Sequence, residues 1–151
     1  MKEENLRQRL YMMDLNDVQA KADKEFQKMR RLEESNNDGI ARCISCGAFH
    51  HYKMGDGGHF IPRQHKGTRY ERMNVYFQCK HCNKWLHGNH AKYRDGLIKK
   101  IGRDGVEELE RIKDILPYHP SVTWREWCIE TYFQAKKKVQ EELLRIENGA
   151  R

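Results

Sequence analysis

Apolar residues recur every three to four positions near the amino terminus, and this spacing predicts two amphipathic helices. The longer helix covers residues 17–35, where charged side chains separate the apolar ones. Asp14 or Asn16 can cap its start, and the sequence Ser-Asn-Asn-Asp-Gly at residues 35–39 is a strong stop signal. A shorter, separate helix is predicted over residues 3–13, where three apolar side chains share one face.

The rest of the chain predicts loops, short strands and further helices. Residues 40–78 are rich in glycine, histidine and aromatic side chains, which indicates loops with short strands, and residues 73–78 are the best strand candidate. Thr123 and Glu126 have the spacing of a capping box, which would open the last helix. The helices predicted after the strand cover residues 80 to the low 90s, 93–101, 105–116 and 124–146.

The composition limits the size of the core. Of the 151 residues, 34% are charged and only 38% are hydrophobic, which indicates one compact domain with a small apolar core and terminal extensions. No segment approaches the ~20 consecutive apolar residues of a membrane span, and the first residues lack the apolar region of a secretory signal. We therefore expect a cytoplasmic protein that has no membrane partner.

The positive charge is concentrated in the middle of the chain. The net charge is +7, yet residues 42–100 contain 12 Lys and Arg against 3 Asp and Glu, a balance of +9, so the two flanks together carry −2. Such a segment is typical of a surface that faces a polyanion, which favours nucleic acid as the partner. The alternative is a solvated basic surface with no partner.

Four of the five cysteines form two pairs with the spacing of a metal site. Cys43 and Cys46 form the first C-x2-C pair, and Cys79 and Cys82 form the second after a gap of 32 residues. Each such turn can supply two thiolates, and Zn²⁺ prefers four in a tetrahedron, so the spacing predicts a structural zinc site. Two disulfides or a redox pair are the alternatives, and a cytosolic setting disfavours them. The fifth cysteine, Cys128, is expected to be a buried small hydrophobe.

A second set of polar residues lies between and after the cysteine pairs. His59 is followed fifteen residues later by Asn74, then by Asn83 after eight intervening residues, and by His87 after three more. This order resembles that of the HNH (ββα-metal) nucleases in their Asn-substituted form, in which a hairpin carries the first histidine. The last two positions then lie one turn apart on the following helix, so that Asn83 and His87 can reach one cation. Neutral imidazole suits the deprotonation of water near pH 7, and Asn and Asp oxygens suit Mg²⁺ or Mn²⁺.

The motifs together resemble the phage NinG (Rap) recombination protein family over about residues 17–145. The residues that carry this resemblance are Cys43-x2-Cys46, Asp56-x-Gly-His59-Phe60, Asn74, Gln78-Cys79-x2-Cys82-Asn83, Gly88-Asn89, Tyr93-Arg94 and Leu97-Ile98-x-x-Ile101-Gly102. The resemblance implies a structure-specific endonuclease that acts on branched recombination intermediates such as Holliday junctions or D-loops. It also implies an α+β fold with a zinc-containing treble-clef HNH core.

The resemblance assigns the chemistry to individual residues. His59 would be the general base, and Asn74 would hold the hairpin loop and orient the imidazole. The ligands of a catalytic Mg²⁺ or Mn²⁺ would be Asp56, Asn83 and His87. Members of the family can differ at the position of His87, and the third ligand would then be Asn89 or His90. Gly58 departs from the wider HNH pattern, because many of those nucleases have a metal-binding Asp or His immediately before the base.

Basic and aromatic side chains near these motifs are candidates for DNA contacts. Trp85 is expected to pack within its helix, and stacking on an unpaired base is the alternative. The side chains expected to bind DNA phosphates lie in the loop between the strands and are Arg63, Lys66, Arg69 and Arg72.

The predicted organisation has three parts: a helical extension at 1–39, a zinc and HNH nuclease core at 40–102, and carboxyl-terminal helices at 103–151. A symmetric homodimer formed through the terminal helices would suit a junction with two equivalent strands. The expected setting is the cytoplasm of a bacterial host, with a phage or host recombinase as a further partner. Two alternatives to the branched-DNA nuclease stay open: a non-catalytic four-cysteine zinc module that binds DNA, and an HNH nuclease that cuts duplex DNA.

Overall fold

The computed structural model describes residues 2–149 and shows α helices around two small antiparallel sheets. The helices are α1 (Lys2–Met12), α2 (Leu15–Glu33), α3 (His90–Ile112) and α4 (Trp124–Gly149). The strands are β1 (Ile40–Arg42), β2 (Phe49–His51), β3 (Gly55–His59) and β4 (Val75–Cys79). β1 pairs with β2, and β3 pairs with β4. The expected mixed α and β fold is therefore confirmed, whereas the treble-clef HNH core stays a prediction.

The two amino-terminal helices agree closely with the sequence pattern. The carboxylate of Asp14 accepts a hydrogen bond from the backbone N–H of Asn16 at 2.9 Å, so Asp14 is the residue that caps α2. α2 ends at Glu33, two residues before the predicted end. Ser35 lies beyond the helix and forms an isolated bridge with Ala41.

The apolar side of α2 packs against α4 and forms much of the core. Phe26 and Met29 of α2 lie in one cluster with Ala135 and Val139 of α4. Cys128 is fully buried, which confirms the prediction made for it. It belongs to a second cluster, whose buried members are Leu10, Val18, Ala22, Trp124, Cys128 and Ile129. Removal of this apolar surface from water is the main driving force that holds the terminal helices together.

α4 begins with the predicted capping box. The backbone N–H of Thr123 donates to the Glu126 carboxylate at 2.9 Å, and the N–H of Glu126 donates to Thr123 Oγ1 at 3.1 Å. The exchange satisfies two backbone donors that have no partner within a helix. The helix then continues to Gly149, three residues beyond the predicted end.

The β3–β4 hairpin lies between α2 and α3. On the α2 side, Gly57 lies so close to Gln27 that a Cβ atom at position 57 would be 3.0 Å from the Gln27 Cα. On the α3 side, the hydroxyl of Tyr93 donates to the Gly58 carbonyl at 2.6 Å and accepts from the Tyr76 N–H at 3.1 Å. The hairpin is thus covered on both faces, which explains why all five residues of β4 are buried.

The helix predicted from residue 80 into the low 90s begins where expected but is too long. The structure has a short π-helix there, His81–Trp85, followed by a reversal of the chain. His87, Gly88 and Asn89 have φ values of 50°, 94° and 43°, a left-handed conformation that ends any helix before α3 begins. The physical reason is that hydrogen bonds to the hairpin and to the cysteine turn hold this reversal in place, as described below.

The helices predicted at 93–101 and 105–116 form one element. α3 passes through both, and Gly102, with φ 75° and ψ 169°, puts a kink between them. The element ends at Ile112, four residues before the predicted end. β4 begins at Val75, two residues later than predicted, because Arg72–Asn74 forms a short 3-10 turn. Within residues 2–149, no helix is long and apolar enough to cross a membrane.

Candidate functional site

Four cysteine side chains meet where the turn between β1 and β2 approaches the end of β4. The ligand atoms of Cys43, Cys46, Cys79 and Cys82 all lie within 4.8 Å of one another, and the Cys46 and Cys79 sulfurs are 3.8 Å apart. A tetrahedral site with Zn–S bonds of ~2.3 Å has sulfur–sulfur edges of about 3.8 Å. The cluster could therefore hold a metal such as Zn²⁺. Among residues 2–149 it is the one group of three or more His, Cys, Asp and Glu side chains close enough to share a metal ion.

Backbone and side-chain donors orient the sulfurs. Gly47 has a φ of 77°, which glycine adopts without steric cost, and its N–H donates to the Cys43 carbonyl at 2.9 Å. The N–H of Cys79 donates to the Cys43 sulfur at 3.3 Å. The side-chain amide of Asn89 donates to the Cys82 sulfur at 3.4 Å. Such outer contacts fix the direction of metal ligands, so the turn after the second pair would help to orient the cysteines around a metal.

All five cysteines are free, which disagrees with the disulfide alternative. Burial raises the pKa of Cys79 to about 12, and it also raises the pKa of Cys82. Burial has the same effect on Cys43, but N–H groups of neighbouring residues outweigh it and lower the pKa of this thiol. Metal binding would remove these protons, because thiolates are the metal ligands.

A pair of oxygen-bearing side chains lies beside the cysteine cluster. The Asp56 carboxylate in β3 accepts from the Asn83 side-chain amide at 3.0 Å and from the Lys80 ammonium at 3.1 Å. Burial opposes ionisation of Asp56, but these two donors outweigh it and lower its pKa. Carboxylate and amide oxygens are ligands that Mg²⁺ binds. The structure thus brings together two of the three residues predicted to hold a catalytic cation.

His59 lies at the end of β3 and points into the loop that follows. Its Nε2 is 2.8 Å from the backbone carbonyl oxygen of Arg69. A carbonyl oxygen can only accept, so Nε2 carries the proton of the neutral ring and Nδ1 keeps its lone pair. Burial lowers the pKa of His59 to about 4, against the opposing effect of that carbonyl. At neutral pH the ring is therefore an uncharged base.

Asn74 closes the loop that supplies the carbonyl. Its side chain is fully buried; its oxygen accepts from the Ile61 N–H at 2.7 Å, and its amide donates to the carbonyls of Ile61 and Thr68, both at 3.0 Å. These bonds tie the two ends of the loop together, next to Arg69. The placement agrees with a residue that holds the hairpin loop, while a part for Asn74 in catalysis stays a prediction.

The structure separates His59 from the Asp56–Asn83 pair. Side chains alternate along a strand, and Asp56 and His59 are three positions apart in β3, so they leave opposite faces of the hairpin. His87 joins neither group, because it is exposed and lies outside any helix. The expectation that Asn83 and His87 share one helical face is therefore wrong.

Gln78 is a site residue to which the sequence assigned no role. Its side-chain amide donates to the Ser45 hydroxyl at 2.9 Å and to the Gly88 carbonyl at 2.6 Å, which links the first cysteine turn to the reversal after the second. The same side chain fills the space beside Gly58, where an added Cβ would lie 2.2 Å from Gln78 Oε1. The packing of Gln78 thus favours glycine at position 58, where the wider HNH pattern has a metal-binding side chain. Its sequence signals were its position in an otherwise apolar strand and its place in the Gln78-Cys79 motif that carries the family resemblance.

The four basic residues predicted to bind DNA have different surroundings. Arg69 is held internally, since its guanidinium lies 2.6 Å from the Asp23 carboxylate and both side chains are only 11% exposed. Arg63 and Arg72 are more than half exposed, although each lies near a carboxylate, and Lys66 is exposed as well. Three of the four are therefore accessible to a phosphate, and Arg69 is committed to an ion pair.

Fold and site together define a small α+β protein built around a four-cysteine cluster that could hold a metal. Sequence comparison gives its family: the one described as "Bacteriophage Lambda NinG protein" matches residues 1–148, and the chain belongs to it. This confirms the resemblance seen in the motifs.

Individual relatives match a smaller part of the chain. Protein ninG of Escherichia phage 933W is 30% identical over 108 residues, which cover 71% of this chain and 49% of that protein. Protein ninG of Escherichia phage lambda is 30% identical over the same length, with 71% and 48% covered. That of Salmonella phage P22 is 36% identical over 69 residues, with 45% and 34% covered. The chain thus spans about half the length of its first relatives, and no solved structure matches it.

Proposed function

We propose that this chain is a metal-dependent endonuclease that hydrolyses a phosphodiester in branched DNA and leaves 5′-phosphate and 3′-hydroxyl ends. His59 is the general base, and Asp56 with Asn83 would hold a divalent cation, Mg²⁺ or Mn²⁺. The observation that carries this proposal is the hydrogen bond between His59 Nε2 and the Arg69 carbonyl. It fixes the ring in the tautomer whose Nδ1 can accept a proton from water.

The low pKa of His59 is compatible with this role. In the free protein a pKa of about 4 makes the imidazole a weak base that is fully uncharged at pH 7. A nearby phosphate favours the positively charged imidazolium, because opposite charges attract, and so raises the pKa when DNA binds. The imidazole of His59 would therefore be a stronger base in the complex with DNA than in the free protein.

The Asp56–Asn83 pair supplies the other half of the proposed chemistry. A divalent cation, when bound, supplies positive charge against the scissile phosphate and the leaving oxygen. The Asn83 amide nitrogen donates to the Asp56 carboxylate at 3.0 Å, and the Lys80 ammonium lies 3.1 Å from it. A bound cation would replace both donors and take the Asn83 oxygen as a ligand.

The charge distribution supports DNA as the substrate. Residues 42–100 carry a balance of +9, and Arg63, Lys66 and Arg72 are accessible. Phosphate contacts fix position but carry no base sequence, so specificity would come from the shape of the DNA. The four-cysteine cluster, with Zn²⁺ as the proposed structural metal, would hold the turn that carries Asn83.

The test is cleavage of a labelled four-way DNA junction beside a linear duplex of matched sequence, with Mg²⁺ or Mn²⁺. We expect the wild-type protein to cut the junction selectively. His59→Ala and Asn83→Ala should abolish cutting and keep junction binding, and His119→Ala, at an exposed histidine outside the site, should cut normally. Cleavage by the His59→Ala variant at the wild-type rate would overturn the assignment of the base.

A non-catalytic four-cysteine module that binds DNA is the second candidate. The separation of His59 from Asp56 on opposite faces of β3 is the observation that favours it. Tight junction binding without cutting by the wild-type protein, under both metals, would establish this alternative. Loss of Mn²⁺ binding in Asn83→Ala would argue against it.

The proposed assembly is a symmetric homodimer that works beside a phage or host recombinase. A junction presents two equivalent strands, which a twofold dimer could cut in a symmetric manner. The terminal helices are the proposed interface. Light scattering after size-exclusion chromatography should give twice the 18.1 kDa chain mass, and a single 18.1 kDa species at working concentrations would contradict the dimer.

A further inference from the structure

Trp85 projects from the protein beside the cysteine cluster. Its side chain is 77% exposed and that of the adjacent Leu86 is 46% exposed, so the prediction that Trp85 packs within a helix is wrong. Trp124 and Trp127, in contrast, pack in the cluster between the terminal helices. Trp85 and Leu86 are adjacent and together expose an apolar patch, which is a candidate contact surface for a partner.

The turn that carries Trp85 is held firmly at its base. The N–H of Gly88 donates to the Cys82 carbonyl at 2.9 Å, and the Gly88 carbonyl accepts from Gln78 at 2.6 Å. The Asn89 amide donates to the Cys82 sulfur at 3.4 Å. These bonds hold two non-glycine residues at positive φ, which persists only where the surroundings impose it. The indole is therefore presented by a preformed turn, and binding a partner would cost little ordering entropy.

The charge around Trp85 selects the kind of partner. Residues 72–94 contain five Lys and Arg and three His, and no Asp or Glu. Three of the five are paired with carboxylates, namely Arg72, Lys80 and Arg94. Lys84 and His87 lie next to Trp85 in the sequence and are exposed. A partner that is both anionic and rich in flat apolar faces fits this surface, and nucleic acid combines those two properties.

We propose that Trp85 stacks on a base exposed at the branch point of DNA, while the neighbouring basic side chains contact the flanking phosphates. This inference rests on the proposed function, because it takes branched DNA as the substrate. A continuous duplex covers each base face with the next base pair, whereas a branch point interrupts the stack and leaves a face open. Stacking by Trp85 thus adds a preference for branches to the one that phosphate contacts give through the shape of the DNA.

The experiment measures the binding of a four-way junction and of a linear duplex, in Ca²⁺ in place of Mg²⁺. The junction carries 2-aminopurine at the crossover, and the duplex carries it at the matched position. Trp85→Ala should weaken junction binding by about 5- to 100-fold and duplex binding by less than about 2-fold. Trp85→Phe should restore most of the junction affinity. Phe49→Ala removes another exposed aromatic side chain, 70% exposed on β2, and should change neither affinity.

The fluorescence of 2-aminopurine at the crossover reports stacking directly. Quenching by the wild-type protein and by Trp85→Phe, but not by Trp85→Ala, would support the inference. Equal weakening of junction and duplex binding in Trp85→Ala, or unchanged quenching, would overturn the stacking and leave the nuclease proposal intact. A wild-type protein that binds neither DNA would overturn the proposed function itself. Junction cutting that is lost in His59→Ala but kept in Trp85→Ala would separate the two roles.

Discussion

The ion pair between α2 and the loop after β3 is the clearest place to test how the site is held. The Asp23 carboxylate accepts hydrogen bonds from two nitrogens of the Arg69 guanidinium, at 2.9 and 2.6 Å. It also accepts one from the Tyr70 hydroxyl at 2.9 Å. Burial raises the pKa of Tyr70, so this hydroxyl stays protonated and donates. The backbone carbonyl of Arg69 in turn accepts from His59. The perturbation is Asp23→Ala.

The expected cost follows from burial. Both charged side chains are 11% exposed, so removal of the carboxylate leaves a desolvated guanidinium without its counter-charge, which costs about 3–5 kcal/mol. The Tyr70 hydroxyl also loses its acceptor, but Arg69 keeps a hydrogen bond to the Arg63 carbonyl at 2.8 Å. We therefore expect Asp23→Ala to lower the free energy of unfolding by about 3–4 kcal/mol. Asp23→Asn keeps an acceptor and should cost less.

Urea unfolding followed by circular dichroism, in the presence of Zn²⁺, measures this change as a shift of midpoint at an unchanged m-value. Glu3→Ala is the control, because the Glu3 carboxylate also accepts from two nitrogens of one arginine, Arg7. This pair is largely exposed and should contribute less than about 1 kcal/mol. Equal costs for Asp23→Ala and Glu3→Ala would refute the argument from burial. Nitrogen NMR of His59 adds a local readout, since Asp23→Ala should shift the Nε2–H signal and Glu3→Ala should not.

Three further predictions follow from the same structure. Gly58→Ala should lower the free energy of unfolding by about 1–3 kcal/mol, because the added methyl group clashes with Gln78. The same change in a Gln78→Ala variant should cost much less, and equal costs in the two proteins would contradict the clash. Cys79→Ser should lower the zinc content measured by mass spectrometry and unfold the hairpin, since zinc binding supplies on the order of 10 kcal/mol, whereas Cys128→Ala should keep the metal. The folded pKa of His59, about 4, lies below its ordinary 6.5, so the unfolded state takes up more protons. Stability should thus fall by about 2–3 kcal/mol as the pH drops from 6.5 towards 4, and His59→Gln should remove that part.

Local patterns predicted the outer parts of the molecule well. The spacing of apolar residues in α2, the Asp14 cap and the capping box at Thr123 depend on neighbours within a few positions, so the sequence contains them. The zinc spacing is likewise local within each cysteine pair. The reversal at residues 87–89 was missed because Gln78 holds it. The Gln78 side chain binds the Gly88 carbonyl and, 33 positions away, the Ser45 hydroxyl, and this packing overrides the helical pattern.

The features of the site that the sequence did not predict depend on residues that are far apart in the chain. The opposite faces of Asp56 and His59 follow from the strand bounds. The space beside Gly58 depends on the register that brings Gln78 next to it. The commitment of Arg69 to an internal ion pair needs Asp23, which is 46 residues away and carries no local signal. Residue types therefore indicated the chemistry, and packing decided which of them meet.

The two halves of the proposed site are held by different parts of the chain. α2 supports the surroundings of His59. Its Asp23 holds the loop that contains Arg69, and its Arg30 donates to the Val75 carbonyl at 2.8 Å. The four-cysteine cluster holds the turn that carries Asn83. Sites without shared partners have additive effects, so loss of Asp23 and loss of the metal should act independently on the two halves. The predicted boundary at residue 39 separates α2 from the loop that it supports, so a fragment that begins at residue 40 would lose the support of His59 and keep that of Asn83.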